Sequence, residues 1–197
     1  LGVEVVGEAF AHVLDDAEAV VHDGGADLEA EGSEGEKFGA VVLAAGWRPA
    51  EPDKEAVAHL GYGEIPDVIT NQQFEEMAAK GAVIRPSDGK VPDSIAYVQC
   101  AGSRDQSLGI SYCSRVCCMY SLKLAHLVKE KLPDAEVFEY YIDMRAFGKG
   151  YEEFYKSIEG EGVNLIRGKI AKIEESGDQL LVRAEDIEKG RMLENKV

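Results

Sequence analysis

Residues 1–38 carry short β-like patches at 3–6, Ala19–His22 and 26–30, divided by clusters of Asp and Gly. Patches broken in this way predict a small antiparallel meander. The stretch Phe38-Gly39-Ala40-Val41-Val42-Leu43-Ala44-Ala45-Gly46 has a different pattern, apolar at every position. It has no polar face, so it predicts a strand buried in a parallel sheet. It ends at Gly46, and Trp47-Arg48-Pro49 turns the chain away.

Residues 50–92 hold four of the six prolines, Pro52, Pro66, Pro86 and Pro92, and the turn Ser87-Asp88-Gly89-Lys90. This is connecting chain with one helix: Thr70 and Gln73 match a capping box, and Phe74, Met77 and Ala78 form an apolar stripe at helical spacing. From Ser94 the pattern becomes strand (95–99), loop, helix (115–131, stopped by Pro133-Asp134) and strand (136–142), a βαβ unit. A helix over 151–159, a strand over 163–166 and a strand pair at 169–173 and 179–183 complete an α/β lobe. The boundaries read 1–48 for a β-rich part, 49–92 for the connection, 93–187 for the lobe and 188–197 for a polar tail. The first residue is Leu1, and the whole reads as a piece of something longer.

Charge then narrows the function. With 37 acidic against 21 basic residues the net charge is −16, a field that repels phosphate backbones and anionic lipid heads. Nucleic acid is excluded as an expected partner. No apolar run approaches the roughly 20 residues of a membrane span, so direct membrane insertion is not expected and the chain reads as cytoplasmic. The histidines, His12, His22, His59 and His126, are scattered without metal-ligand spacing. Tyr140, Tyr141, Phe147, Tyr151, Phe154 and Tyr155 read as core, and the acid run 185–188 as a solvated face.

The chemistry concentrates in four cysteines, Cys100, Cys113, Cys117 and Cys118, spaced C-x12-C-x3-C-C. Cys100 ends the first strand of the βαβ unit, Cys113 lies in the loop, and Cys117 and Cys118 open the helix. All four therefore belong to the carboxyl edge of a parallel sheet, where α/β proteins place ligands. The loop offers only Ala101-Gly102-Ser103 where a dinucleotide site needs G-x-G-x-x-G. Four thiolates suit zinc or an iron–sulfur cluster. Structural zinc prefers two C-x2-4-C knuckles, which adjacent Cys117 and Cys118 do not make, so the cluster is favoured. A helix N-terminus and the nearby Arg104 and Arg115 add the positive field that an anionic cluster needs. Disulfides are not expected in a cytoplasmic chain.

Three segments carry a family resemblance: Tyr97-Val98-Gln99-Cys100-Ala101-Gly102-Ser103-Arg104-Asp105, then Tyr112-Cys113-Ser114-Arg115-Val116-Cys117-Cys118, then residues 141–154, which read YIDMRAFGKGYEEF. Over residues 40–186 the chain resembles the family of heterodisulfide reductase A subunits, which includes flavin and iron–sulfur subunits of the quinone-interacting membrane-bound oxidoreductase of sulfate reducers. The resemblance implies a thioredoxin-reductase-like flavoprotein whose Rossmann-like lobe holds a [4Fe-4S] cluster on Cys100, Cys113, Cys117 and Cys118, with a β-rich remnant of the flavin domain before it. It also makes residues 41–46 similar to the A-T-G strand ending near the flavin, which puts Ala45 and Gly46 beside FAD, with Ala45 where Thr is usual. The segment itself lacks the glycine fingerprint for FAD, which belongs to the intact protein. The implied role is electron relay between FAD and clusters, with other subunits of an electron-transfer complex as partners. Two rivals remain: a non-redox interaction module with structural zinc at the same cysteines, and a degenerate dinucleotide-binding lobe in which Asp143 would hold a ribose.

Overall fold

The computed structural model describes residues 19–22, 25–28, 37–38 and 55–197, and it divides into a unit within residues 3–50 and a unit of residues 51–197. In the first, strands β1 (Ala19–His22), β2 (Gly25–Leu28) and β3 (Lys37–Phe38) form an antiparallel sheet in sequence order; a meander was expected here, but Phe38, read as the start of a parallel strand, pairs antiparallel with Ala26 in it. The patch at 3–6, the strand beyond Phe38, and with it Ala45 and Gly46, lie outside the described residues.

The second unit is mixed α/β. Strands β4 (Ser94–Val98), β5 (Glu136–Tyr141) and β6 (Val163–Arg167) form a parallel sheet in the order β4-β5-β6. Parallel neighbours need crossovers, supplied here by α2 (Cys117–Lys131) and α3 (Tyr151–Gly160). The earlier helix, α1 (Asn71–Ala79), starts at Thr70 with the capping box in place: Thr70 Oγ1 accepts from Gln73 N at 3.2 Å, and Gln73 Oε1 accepts from Thr70 N at 2.8 Å. Strands β7 (Ile170–Ser176), β8 (Gln179–Asp186) and β9 (Arg191–Lys196) form a separate antiparallel meander.

Side-chain alternation explains the layering. One set of the parallel sheet's side chains, Tyr97, Val137 and Val163 among them, packs with Leu122, Ala125 and Val128 of α2, Ile158 of α3 and Phe74 of α1. The other set, Val98, Phe138, Tyr140 and Ile166 among them, packs with Ile170, Ile173, Val182 and Ala184 of the meander and with Val57 and Leu60. The sheet is thus covered on both faces, as its near-continuous apolar strands require.

Two expectations change. Residues 188–197, read as a tail, contain β9, paired to β8 from Asp186↔Arg191 to Leu181↔Lys196. The acid run at 185–188 is the turn that makes this possible: Asp186 is buried, and its Oδ1 accepts from the backbone N–H groups of Glu188 and Lys189 at 3.1 and 3.0 Å. A short carboxylate folding back on its own backbone is a turn device, while Glu185 and Glu188 on either side of it are exposed, as a solvated face should be. The aromatic group also divides, with Tyr140 buried but Phe147 and Tyr151 exposed.

Gly168 joins the two sheets. A Cβ there would lie 1.7 Å from the Glu185 carbonyl oxygen, while Gly168 N donates to Tyr141 O at 2.8 Å. The backbone approach leaves no room for a side chain, and both neighbours are main chain. Gly168→Ala should therefore destabilise the chain by about 1–3 kcal/mol, the range for overpacking. In contrast, Gly160→Ala, at a helical position with open space around it, should be neutral or stabilising by up to about 1 kcal/mol. Chemical denaturation of the two variants measures the difference.

Candidate metal centre

The ladder from β5 extends one residue past β4, where Gln99 N donates to Tyr140 O at 3.0 Å. At Cys100 the chain leaves the sheet with a φ of 57°. Ser103 N then donates to Cys100 O, Arg104 N to Tyr112 O, and Asp105 bridges to Ile110 around a short 3-10 turn at Gln106–Leu108. The loop returns through Cys113 and the buried Ser114, and α2 begins at Cys117 with no side-chain cap on its first N–H groups.

Backbone strain is concentrated in this loop. Among the described residues the non-glycine residues with left-handed φ are Cys100, Arg104 and Arg115, at 57°, 55° and 66°. Each such residue costs on the order of 1–2 kcal/mol, and strain of this kind gathers at functional sites, where surrounding structure holds it. No glycine pattern marked these positions, so nothing in the sequence announced them.

The four cysteines sit at one end of the parallel sheet, at the end of β4, in the loop and on the first turn of α2, and none is joined in a disulfide. Their thiols sense one another: Cys113 and Cys117 both act on Cys100, and Cys100 and Cys117 both act on Cys118. Burial pushes the Cys100 thiol up, opposed by Arg104. Burial pushes Cys118 to about 11, opposed by the Arg145 backbone N–H. Each sulfur outside Cys100 has a near polar neighbour: Cys117 Sγ lies 2.8 Å from Ser114 Oγ, Cys113 Sγ accepts from Arg115 N at 3.3 Å, and Cys118 Sγ donates to Asp143 O at 3.6 Å. Among the described residues no three Cys, His, Asp or Glu side chains are grouped as metal holding would require. Ligation would exchange these hydrogen bonds for metal bonds and release the thiol protons.

The surroundings suit an anion. Asp143 is engaged by Arg104 at 2.7 Å, Arg167 at 3.5 Å and Arg145 at 3.7 Å, and these contacts, Arg104 foremost, hold its carboxyl below the usual range. Three guanidinium groups share one carboxylate in a chain of net charge −16. Arg104 reaches Asp143 through Nη2, and its side chain also engages the neighbouring Cys100 thiol. Arg115 stacks its guanidinium 4.7 Å from the centroid of Phe147. Asp143, weighed in the sequence as a ribose-binding acid, is occupied by these arginines.

Two participants went unnoticed in the sequence. Gln99 Nε2 donates to Glu139 Oε1 on β5 and lies 3.4 Å from the carbonyl oxygen of Cys117. Glu139 is wholly buried. Its signal was available: a carboxylate in the middle of a strand whose two faces are both covered has nowhere to reach water.

No protein-family model matches the chain. Among curated proteins it is 46% identical over 165 residues to the A subunit of the H(2):CoB-CoM heterodisulfide,ferredoxin reductase of Methanothermobacter thermautotrophicus, covering 80% of this chain and 25% of that one. It is 43% identical over 169 residues to the second of the iron-sulfur A subunits of the CoB--CoM heterodisulfide reductase of Methanopyrus kandleri, covering 82% and 26%. It is 43% identical over 166 residues to the corresponding iron-sulfur protein of Methanocaldococcus jannaschii, covering 80% and 25%. The chain spans about a quarter of the length of the curated relatives it matches.

The strain at Arg115 has a measurable consequence. Arg115→Gly and Arg115→Ala both lose the contact with Phe147, but only glycine accepts a φ of 66° at no cost. In metal-free protein the Gly variant should be more stable than the Ala variant by about 1 kcal/mol, the reverse of their order inside a helix. Equal stabilities would show that the loop relaxes to a different backbone.

Proposed function

Taking the chain as one segment of a heterodisulfide reductase A subunit, we propose that it is an electron-transfer module in which Cys100, Cys113, Cys117 and Cys118 hold one [4Fe-4S] cluster. Bound there, the cluster supplies one-electron transfer. The parallel β4–β6 sheet with its two crossover helices and its meander is the Rossmann-like lobe of a thioredoxin-reductase-like flavoprotein. FAD belongs to the longer protein, with Ala45 and Gly46 near it. The electrons pass between that flavin and further clusters, and other subunits of a cytoplasmic complex donate or receive them.

The observation that carries this reading is Arg104, bonded to Asp143 and lying beside the Cys100 thiol, whose ionised form it favours, at the end of the sheet to which all four cysteines belong. Arg104 lowers the cost of placing a thiolate at Cys100, and Asp143 fixes the guanidinium from its other side. The partial positive charge at the N-terminus of α2 stabilises thiolates at Cys117 and Cys118. Ser114 Oγ, 2.8 Å from Cys117 Sγ, is positioned to hydrogen-bond a ligating sulfur, one of the levers on a cluster's potential. The names of two of the relatives, iron-sulfur subunits, support the same chemistry.

Adjacent residues in a helix diverge by about 100°, so for Cys117 and Cys118, both on the first turn of α2, to hold one centre that turn must distort. Cys117→Ser and Cys118→Ser, reconstituted anaerobically and separately, should each lose most of the iron, sulfide and broad visible absorbance. Met119→Leu, a volume-conserving change on the same turn, should keep them. If either serine variant retains a full complement, the four-cysteine assignment is wrong. Zinc without sulfide in the wild-type protein would replace the redox reading with a structural one.

A further inference from the structure

Glu139 is fully buried on the side of β5 that faces α2. Its Oε1 accepts from Gln99 Nε2, which also approaches the Cys117 carbonyl oxygen at the start of α2. Its Oε2 is buried without a partner, and so is the hydroxyl of Tyr97, its register neighbour on β4. A carboxylate in such a place is costly, while a carboxylic acid is not. Burial accordingly pushes its pKa up to about 8, against a smaller opposing pull from Gln99. The titratable groups that sense its charge are Tyr97 on β4 and Cys118 on α2; β6 and α3 bring the apolar Leu165 and Ile158 to the same core. A cavity of about 490 Å³, lined by Tyr97, Gln99, Cys117 and Ser121 among others, reaches this layer.

We propose that Glu139 is a proton site linked to the redox state of the four-cysteine centre through the Gln99 amide and the Cys117 carbonyl. The inference rests on the cluster reading. An electron added to the centre is a like charge for a nearby carboxylate and raises its affinity for a proton. Where Glu139 is ionised, one-electron reduction by a low-potential donor such as a reduced flavin is matched by one proton from solvent adding to Oε2. The product is a neutral acid, and reoxidation returns the proton. Glu139 touches no reacting atom and acts as a positioning and charge-compensating residue.

The test is a redox titration followed by electron paramagnetic resonance, from neutral to alkaline pH, on reconstituted full-length protein. The wild-type midpoint potential should fall as pH rises through the carboxyl's pKa, and in Glu139→Gln it should be flat. Gln99→Leu, which keeps the acid and severs the link, should weaken the dependence. A metal-free readout is independent of the centre. Because the folded carboxyl titrates near 8 and the unfolded one near 4.5, wild-type stability should decline as pH rises between those values. Glu139→Gln should remove that decline. A loaded wild-type centre whose potential ignores pH, or the same dependence in Glu139→Gln, overturns the coupling while leaving the cluster in place. A wild-type chain that takes up no iron overturns the cluster reading, and the coupling with it.

Discussion

Everything at the cysteine end depends on β5 being covered on both faces. The strand is central to its sheet, with helices over Val137 and Glu139 and the antiparallel meander over Phe138 and Tyr140. It therefore cannot shift register without moving an apolar set to the wrong side, since a slip of one residue exchanges the faces. With β5 pinned, the hydrogen bond from Gln99 to Tyr140 decides where β4 ends, and so where Cys100 leaves the sheet. Two residues past the end of the same strand, Asp143 gathers Arg104, Arg145 and Arg167. The centre is thus an edge property of a sheet that is rigid for ordinary reasons.

That rigidity is what supports the strained loop. Three residues in a left-handed conformation would relax if the ends of the loop could move. One end is tied to β5, and the other enters a helix whose Leu122, Leu124, Ala125 and Val128 have no exposure. The cost of the conformation is offset by packing far from the sulfurs, and the loop itself needs few contacts of its own.

Much of this was legible in the sequence. The βαβ pattern, the Thr70–Gln73 capping box, the meander and the helices reflect period and capping signals, which are local. That the four cysteines belong to one edge of the sheet followed from topology alone, because strand end, loop and helix start share it. What escaped was non-local. β9 looked like polar tail because its pairing depends on the buried turn at Asp186, and Asp186 is one acid among many by composition. Left-handed Cys100, Arg104 and Arg115 carry no glycine to mark them, and the Arg104–Asp143 contact joins residues 39 positions apart. Glu139 was passed over as one more charge, although its strand context made it exceptional.

The short span of the cysteines also bears on how the centre is made. All four lie between residues 100 and 118, inside a single βαβ unit. The entropy of closing a chain segment grows only slowly with its length, and short segments close first. A ribosome that has released β4, α2 and β5 has already delivered every sulfur, together with the strand that fixes their positions. The antiparallel meander emerges afterwards, and Lys169 just before it then reaches back to Asp105 in the cysteine loop at 2.8 Å, so the last part of the lobe to be made fastens the first.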